Sequence, residues 1–317
     1  LKLCLTKKKK NYKMDFSNFI FRSHYQGDLV TVPRPLSEST ISELESFRER
    51  NLGIGKPLTE KQAEKLIELE YKFLKSTKFE LSTTAQKLLT KIYFAQKFNR
   101  DFRLENKYFD KGILVEKESR DTLSELLNIR LVSDPQEKQN DWVRGKRDIK
   151  SEKVIIDIKS TWDFNTFGQH LIESNEEFYF RQLDNYMELW GINEALLAYV
   201  LVDTPIHLIN QEVTNKNYKM QFLDNAGNIP DSRIPEVKKI INDHIFTRKA
   251  LEEYCTQSAS IHIEWFIDFI EIPIQDRVHL VPHSFDPERI KQRNECLRLG
   301  REFLNNIKAV NNINFSI

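Results

Sequence analysis

The chain has 317 residues, 40% hydrophobic and 30% charged, enough for one large domain or two small ones with a sizeable core. Its net charge of +1 excludes a global basic excess, so any nucleic-acid contact must come from local patches. No run is long enough for a membrane span and nothing resembles a cleavable secretory signal. The scattered Cys4, Cys255 and Cys296 predict a reducing cytoplasm, with neither a zinc site nor a cluster.

Residues 1–14 contain Lys7, Lys8, Lys9 and Lys10 without any periodic pattern and are predicted to be a disordered basic tail. Because the chain opens on Leu1, Met14 is expected as the natural start. The remainder, 15–317, has no internal repeat and no low-complexity linker, so a single domain with helical additions is expected. Phe16, Phe19, Ile20 and Phe21 precede Arg22 and Ser23 in a segment that opens an N-terminal subdomain. Three helical patterns follow. Ser37–Arg50 carries Ile41, Leu44 and Phe47. Thr59–Lys75 opens on a capping-box pair, Thr59 and Gln62. Ser82–Phe98 repeats Leu88, Leu89, Ile92 and Tyr93. Lys87, Lys91 and Lys97 could line a DNA path, although a solvated face is the simpler reading. A further helix is expected from Lys111 to Asn128, with Glu116 and Arg120 one turn apart, and then a polar turn from Asp134 to Asp141.

The most informative stretch runs from Trp142 through Asp148 and then from Val154 to Thr161. It reads as a hairpin, with Lys150–Lys153 as the turn and the β-branched run Val154-Ile155-Ile156 opening the second strand. Alternation along that strand puts Asp157 and Lys159 on one face. With that turn, Asp148 stands opposite Ile155 and shares the face. Two carboxylates and an ammonium beside an apolar sheet are costly to bury unless something compensates them. A divalent cation would, and carboxylate and backbone carbonyl oxygens suit Mg²⁺, which keeps waters and binds phosphate. The lysine would then orient the attacking water and offset charge on phosphorus. Taken alone, so short a pattern is more simply a surface hairpin with an ordinary ion pair; the flanks reverse that preference.

Trp162–Glu177 is expected to be a mobile connection, in which His170 is most simply an incidental loop histidine. Phe178–Trp190 then has helical spacing, with Gln182 and Tyr186 on one face and Leu183, Met187 and Trp190 on another. Ala195–Val202 is a strand. Ile206–Phe222 and Glu236–Tyr254 are predicted helices, Glu271–Ile274 and Arg277–Val281 edge strands, and Asp286–Asn306 a closing helix whose arginines pair with Glu288, Glu295 and Glu302.

Gly112-x-x-x-Glu116-x-x-x-Arg120, Gly145-x-x-Asp148, Asp157-Ile158-Lys159 and Gln182-x-x-x-Tyr186 together resemble the motifs of PD-(D/E)xK nucleases. Within that superfamily they are similar to the RecB-like branch and its YqaJ and lambda-type viral exonucleases. The matched core covers about residues 108–203, and Asp157 stands where many relatives carry Glu, which the pattern permits. The resemblance implies an α/β, restriction-endonuclease-like fold, with an αββαβ core, a central mixed sheet flanked by helices, and N- and C-terminal helical additions. It implies Glu116, Asp148, Asp157 and the Ile158 carbonyl as ligands of Mg²⁺ or Mn²⁺, Lys159 as the catalytic lysine, and Gln182, Tyr186 and Arg120 as substrate-binding residues. Arg22 and Ser23 loosely resemble a segment that contacts a terminal phosphate. The implied activity is a metal-dependent deoxyribonuclease, in particular a phage-type exonuclease acting on duplex DNA ends in recombination or repair, in a (host) cytoplasm. A single-strand annealing recombinase and further copies of the chain would be its partners. An endonuclease of restriction or junction type and a non-cleaving nucleic-acid-binding module remain alternatives.

Overall fold

The computed structural model describes residues 14–100, 107–172, 176–221, 224 and 229–307; the predicted basic tail lies outside them. In chain order the elements are β1 (Phe21–Arg22), α1 (Gln26–Leu29), α2 (Glu38–Asn51), α3 (Glu60–Thr77), α4 (Thr83–Phe98), α5 (Lys107–Leu114) and α6 (Glu116–Leu127). They continue with β2 (Glu137–Gln139), β3 (Val143–Lys146), β4 (Ile155–Ser160), α7 (Phe164–His170), α8 (Glu177–Trp190) and β5 (Glu194–Val200). Last come α9 (Ile206–Met220), α10 (Ile234–Asn242), α11 (Arg248–Gln257), β6 (Val278–Ser284) and α12 (Pro287–Asn306). Among the described residues, no helix is long and apolar enough to cross a membrane.

The chain forms two compact units. One comprises the described parts of 1–102, 141–143 and 287–317, and the other those of 103–140 and 144–286. In the first, helix starts follow local chemistry. Ser37 and Ser82 accept from the backbone N–H three residues on, and Thr59 and Gln62 close a reciprocal capping box. Leu44 and Phe47 of α2 pack on Leu66 and Leu69 of α3. A Cβ on Gly300 of α12 would stand 3.3 Å from the Phe21 ring and 3.5 Å from Leu89, so a side chain there would press the Phe21 ring aside by a few tenths of an ångström.

The second unit is built on a sheet of order β4-β5-β6. β4 runs parallel to β5, with Asp157 beside Leu197 and Lys159 beside Tyr199, and β6 runs antiparallel to β5. Central β5 is a nearly continuous apolar run, as a strand covered on both faces must be. One face carries Ile155, Leu197 and Tyr199 and packs on Leu183, Tyr186 and Met187 of α8. The other carries Ile156, Ala198 and Val200 and packs on Val115 and on Leu123 of α6. Helices α9, α10 and α11 bury a separate cluster around Ile209, Ile241 and Tyr254. Pro282 sits in β6, whose outer side has no partner in this sheet, where a missing N–H costs least.

Several expectations are corrected. The stretch from 142 to 161 is not a hairpin: β3 pairs antiparallel with β2, inside the segment expected to be a turn, and β4 pairs with β5. Local pattern identifies a strand but not its partner. The single helix expected over 111–128 is two. Val115 leaves helical geometry (φ −103°, ψ 10°), so that Lys111 donates to the Trp162 carbonyl at 2.8 Å while α6 packs on the sheet. The predicted helix over 236–254 is likewise divided, into α10 and α11, and 271–274 is not a strand. The connection after β4 contains the helix α7, started by Asp163, whose carboxylate accepts from Thr166 N at 2.7 Å. In α12, Arg298 pairs with Glu295 and Glu302 as expected, but Arg293 is buried and Arg301 donates to the Phe19 and Asp141 carbonyls.

Candidate active site

In the second unit, β4 is an edge strand of its sheet, and the site is built along it. Alternation projects Asp157 and Lys159 onto the face covered by α8. Asp157 is 1% exposed. Asp148 arrives from the loop after β3, and its Oδ2 accepts from Ile158 N at 2.8 Å. That bond lies outside the β4–β5 ladder. A strand residue's N–H and C=O point the same way, so the Ile158 carbonyl also faces the open edge. The loop is anchored by the buried Arg147, whose Nε donates to Asp134 at 2.6 Å and whose guanidinium lies 5.0 Å over the Trp190 ring.

Lys159 Nζ stands 2.7 Å from Asp157 Oδ2, so that the ammonium pairs with this buried oxygen. Oδ1 accepts from Gln182 Nε2 at 3.3 Å, Gln182 Nε2 also reaches the Tyr186 hydroxyl at 2.8 Å, and Lys159 Nζ reaches Gln182 Oε1 at 3.5 Å. The one-turn spacing of Gln182 and Tyr186 on α8 makes this chain of contacts possible. Burial raises the Asp148 pKa to about 7, Asp157 adds to the rise, and Lys159 and the Ile158 N–H oppose it. Burial works against the Lys159 charge, but Asp157 and Asp148 outweigh it and hold the ammonium above the ordinary lysine range. Burial also raises the Tyr186 hydroxyl, with Asp157 adding to it, which keeps it a neutral donor and acceptor.

The structure thus brings together Asp148, Asp157, Ile158, Lys159, Gln182 and Tyr186. Glu116 opens α6 with its side chain 62% exposed, 3.9 Å from Arg120. It is near enough to raise the Asp148 pKa, but among the described residues no three His, Cys, Asp or Glu side chains are gathered as a metal cage. Arg22 is exposed and Ser23 buried in the first unit. Two carboxylates and an outward carbonyl are hard oxygen ligands that fit Mg²⁺ or Mn²⁺, with water completing the shell.

Sequence reasoning missed the aromatic surround of Lys159. Its Nζ lies 5.0 Å from the Tyr179 ring centre, and its register neighbour Tyr199 is stacked by His170 at 3.9 Å. The alternation Leu197, Tyr199 along β5 was the available signal, but it became spatial only once β5 was paired with β4. The role expected of Gln182 and Tyr186 was contact with substrate. In the structure Gln182 contacts Asp157, Lys159 and the Tyr186 hydroxyl, and the Tyr186 ring belongs to the core.

No protein-family model and no curated protein matches the chain by sequence. Among solved structures, a phage-related exonuclease from Haemophilus somnus 129PT superposes with a TM-score of 0.54 at 17% identity, over 91% of this chain and 94% of that one. An alkaline exonuclease from Laribacter hongkongensis superposes with a TM-score of 0.43 at 8% identity, over 71% of this chain and 82% of its own. The first of these establishes a shared fold, that of the mixed α/β architecture expected for the PD-(D/E)xK resemblance.

Proposed function

We propose that this protein is a metal-dependent deoxyribonuclease of the exonuclease type, hydrolysing phosphodiester bonds at duplex ends in recombination or repair. The observation that carries this reading is the convergence of Asp148, Asp157 and Lys159 on the open edge of β4, where two carboxylates crowd one ammonium. A purely structural ion pair would have no reason to sit beside a second, partly buried carboxylate. The fold shared with a phage-related exonuclease supports the same reading.

Asp148, Asp157 and the Ile158 carbonyl would hold Mg²⁺ or Mn²⁺, and the more distant Glu116 would reach it through water. When bound, the metal would lower the pKa of a water and polarise the phosphoryl oxygen. Lys159 would place its ammonium against charge developing on the phosphate. Gln182 and Tyr186 would keep the Asp157 carboxylate and the Lys159 ammonium in register, and Arg147 would keep the Asp148 loop seated.

The test is digestion of end-labelled linear duplex and of closed circular DNA by the purified chain, with Mg²⁺ or with EDTA. Loss of the linear substrate alone, and only with metal, is the expected result. Nicking of the circle would replace the exonuclease reading with an endonuclease, and no cleavage of either substrate would refute the proposal.

A further inference from the structure

In the first unit, α2 and α3 mix acids with bases, whereas α4 carries lysines and no acid at all. Its buried side is Ala85, Leu88, Leu89 and Ile92. Lys87, Lys91, Phe94 and Phe98 follow at spacings of four, three and four, so they form one stripe on the opposite side, about 16 Å long. Phe94 is 47% and Phe98 56% exposed, and their rings lie nearly parallel, 14° apart, with centres 5.8 Å from each other. Lys97 flanks them, its Nζ 5.5 Å from the Phe98 ring, and the exposed Arg100 follows the helix. Among the described residues, one carboxylate that bears on this stripe is Asp28; burial raises its pKa, and Lys91 acts to lower it.

We propose that this face of α4 binds single-stranded nucleic acid, with Phe94 and Phe98 stacking on unpaired bases and Lys87 and Lys91 meeting the phosphates. Lysines alone would be a solvated face, and an isolated exposed phenyl is ordinary. Two aligned rings continuing a row of lysines on an acid-free helix are the combination that single strands select, because every base offers a flat face and every linkage a negative charge. A protein groove would have to bury Lys87 and Lys91 together with the rings, at a desolvation cost that phosphates do not impose. Duplex DNA keeps its bases stacked on one another and gives the rings nothing to cover. The inference deepens the nuclease reading by naming the strand form that the chain holds outside its candidate site.

The experiment measures anisotropy of a labelled twenty-nucleotide oligothymidine and of a labelled duplex of equal length, with the full chain in EDTA so that cleavage plays no part. Wild type is expected to bind the single strand. F94A/F98A should weaken that binding at least about tenfold, since stacking loss per base spans roughly five- to 150-fold, and change duplex binding less than about twofold. F94W/F98W should retain affinity, whereas F94L/F98L should behave like the alanine pair. K87A/K91A should reduce the slope of log affinity against log salt by about 1.4. Failure of wild type to bind, F94A/F98A or F94L/F98L within twofold of wild type on the single strand, or an equal loss on the duplex would overturn the proposal. So would a change in sedimentation of F94A/F98A without a change in single-strand affinity, which would assign the face to a protein contact. Cleavage by wild type in Mg²⁺ is scored separately, so a protein that binds but never cuts would refute the nuclease reading and leave this one standing.

Discussion

Two close Asp–cation pairs in the second unit, each with a buried carboxylate, invite comparison. Arg147 and Asp134 are 3% and 4% exposed in their side chains, with Nε 2.6 Å from Oδ2, and Asp134 also accepts from Gln136 N while Arg147 donates to the Ser151 carbonyl. Although burial opposes it, the bond from Arg147 holds Asp134 below its ordinary pKa. Asp157 and Lys159 are about as close at 2.7 Å, but Asp148 stands beside them as a second carboxylate with its pKa pushed up to about 7. The first pair is complete and shapes the loop. The second is an arrangement that a further positive charge would complete.

The largest expected effect breaks the complete pair. Arg147→Ala leaves Asp134 buried without its counter-charge and should cost about 3–5 kcal/mol of stability, read as a lower denaturant midpoint at unchanged slope. Breaking the incomplete pair should act on activity instead. Asp157→Ala and Lys159→Ala should each lower cleavage by a factor on the order of 10²–10³ with unaltered circular dichroism. Wild-type turnover by either would dissolve the contrast. Mg²⁺ titration separates the two roles within the site: Asp148→Asn should weaken binding and Lys159→Ala should leave it nearly unchanged.

A third consequence concerns pH without metal. The folded pKa of Asp148, about 7, lies above the unfolded value of roughly 3.9. Between these values the folded state binds more protons, so stability is fully present below the unfolded pKa and is lost as pH rises through 7. The melting temperature in EDTA should therefore fall from pH 5 to pH 8, Asp148→Asn should flatten that fall, and saturating Mg²⁺ should oppose it by about 2.7 kcal/mol at a hundred times its Kd. A metal-free protein equally stable at both pH values would remove the strain ascribed to the site. Smallest are Gln182→Ala and Tyr186→Phe. Each loses a neutral hydrogen bond worth about 0.5–1.5 kcal/mol, so cleavage should fall a few-fold with Mg²⁺ affinity unaltered. An unchanged rate in both variants would detach α8 from the chemistry.

What the sequence determined by itself was local. The caps Ser37, Thr59 and Ser82 start α2, α3 and α4 at the expected residues, because a cap and its N–H are three residues apart in any fold. Alternation alone put Asp157 and Lys159 on one face of β4, and helical spacing put Gln182 and Tyr186 on one face of α8. Only the tertiary structure decided what those faces meet. The pairing of β3 with β2 and of β4 with β5, the break at Val115 and the seat of Asp148 on the Ile158 N–H all join residues whose affinity for one another no local period encodes. Asp148 reached the expected neighbourhood by another route than a hairpin: the Arg147–Asp134 anchor turns its loop onto the open edge of β4, where an unpaired backbone N–H was waiting for an acceptor.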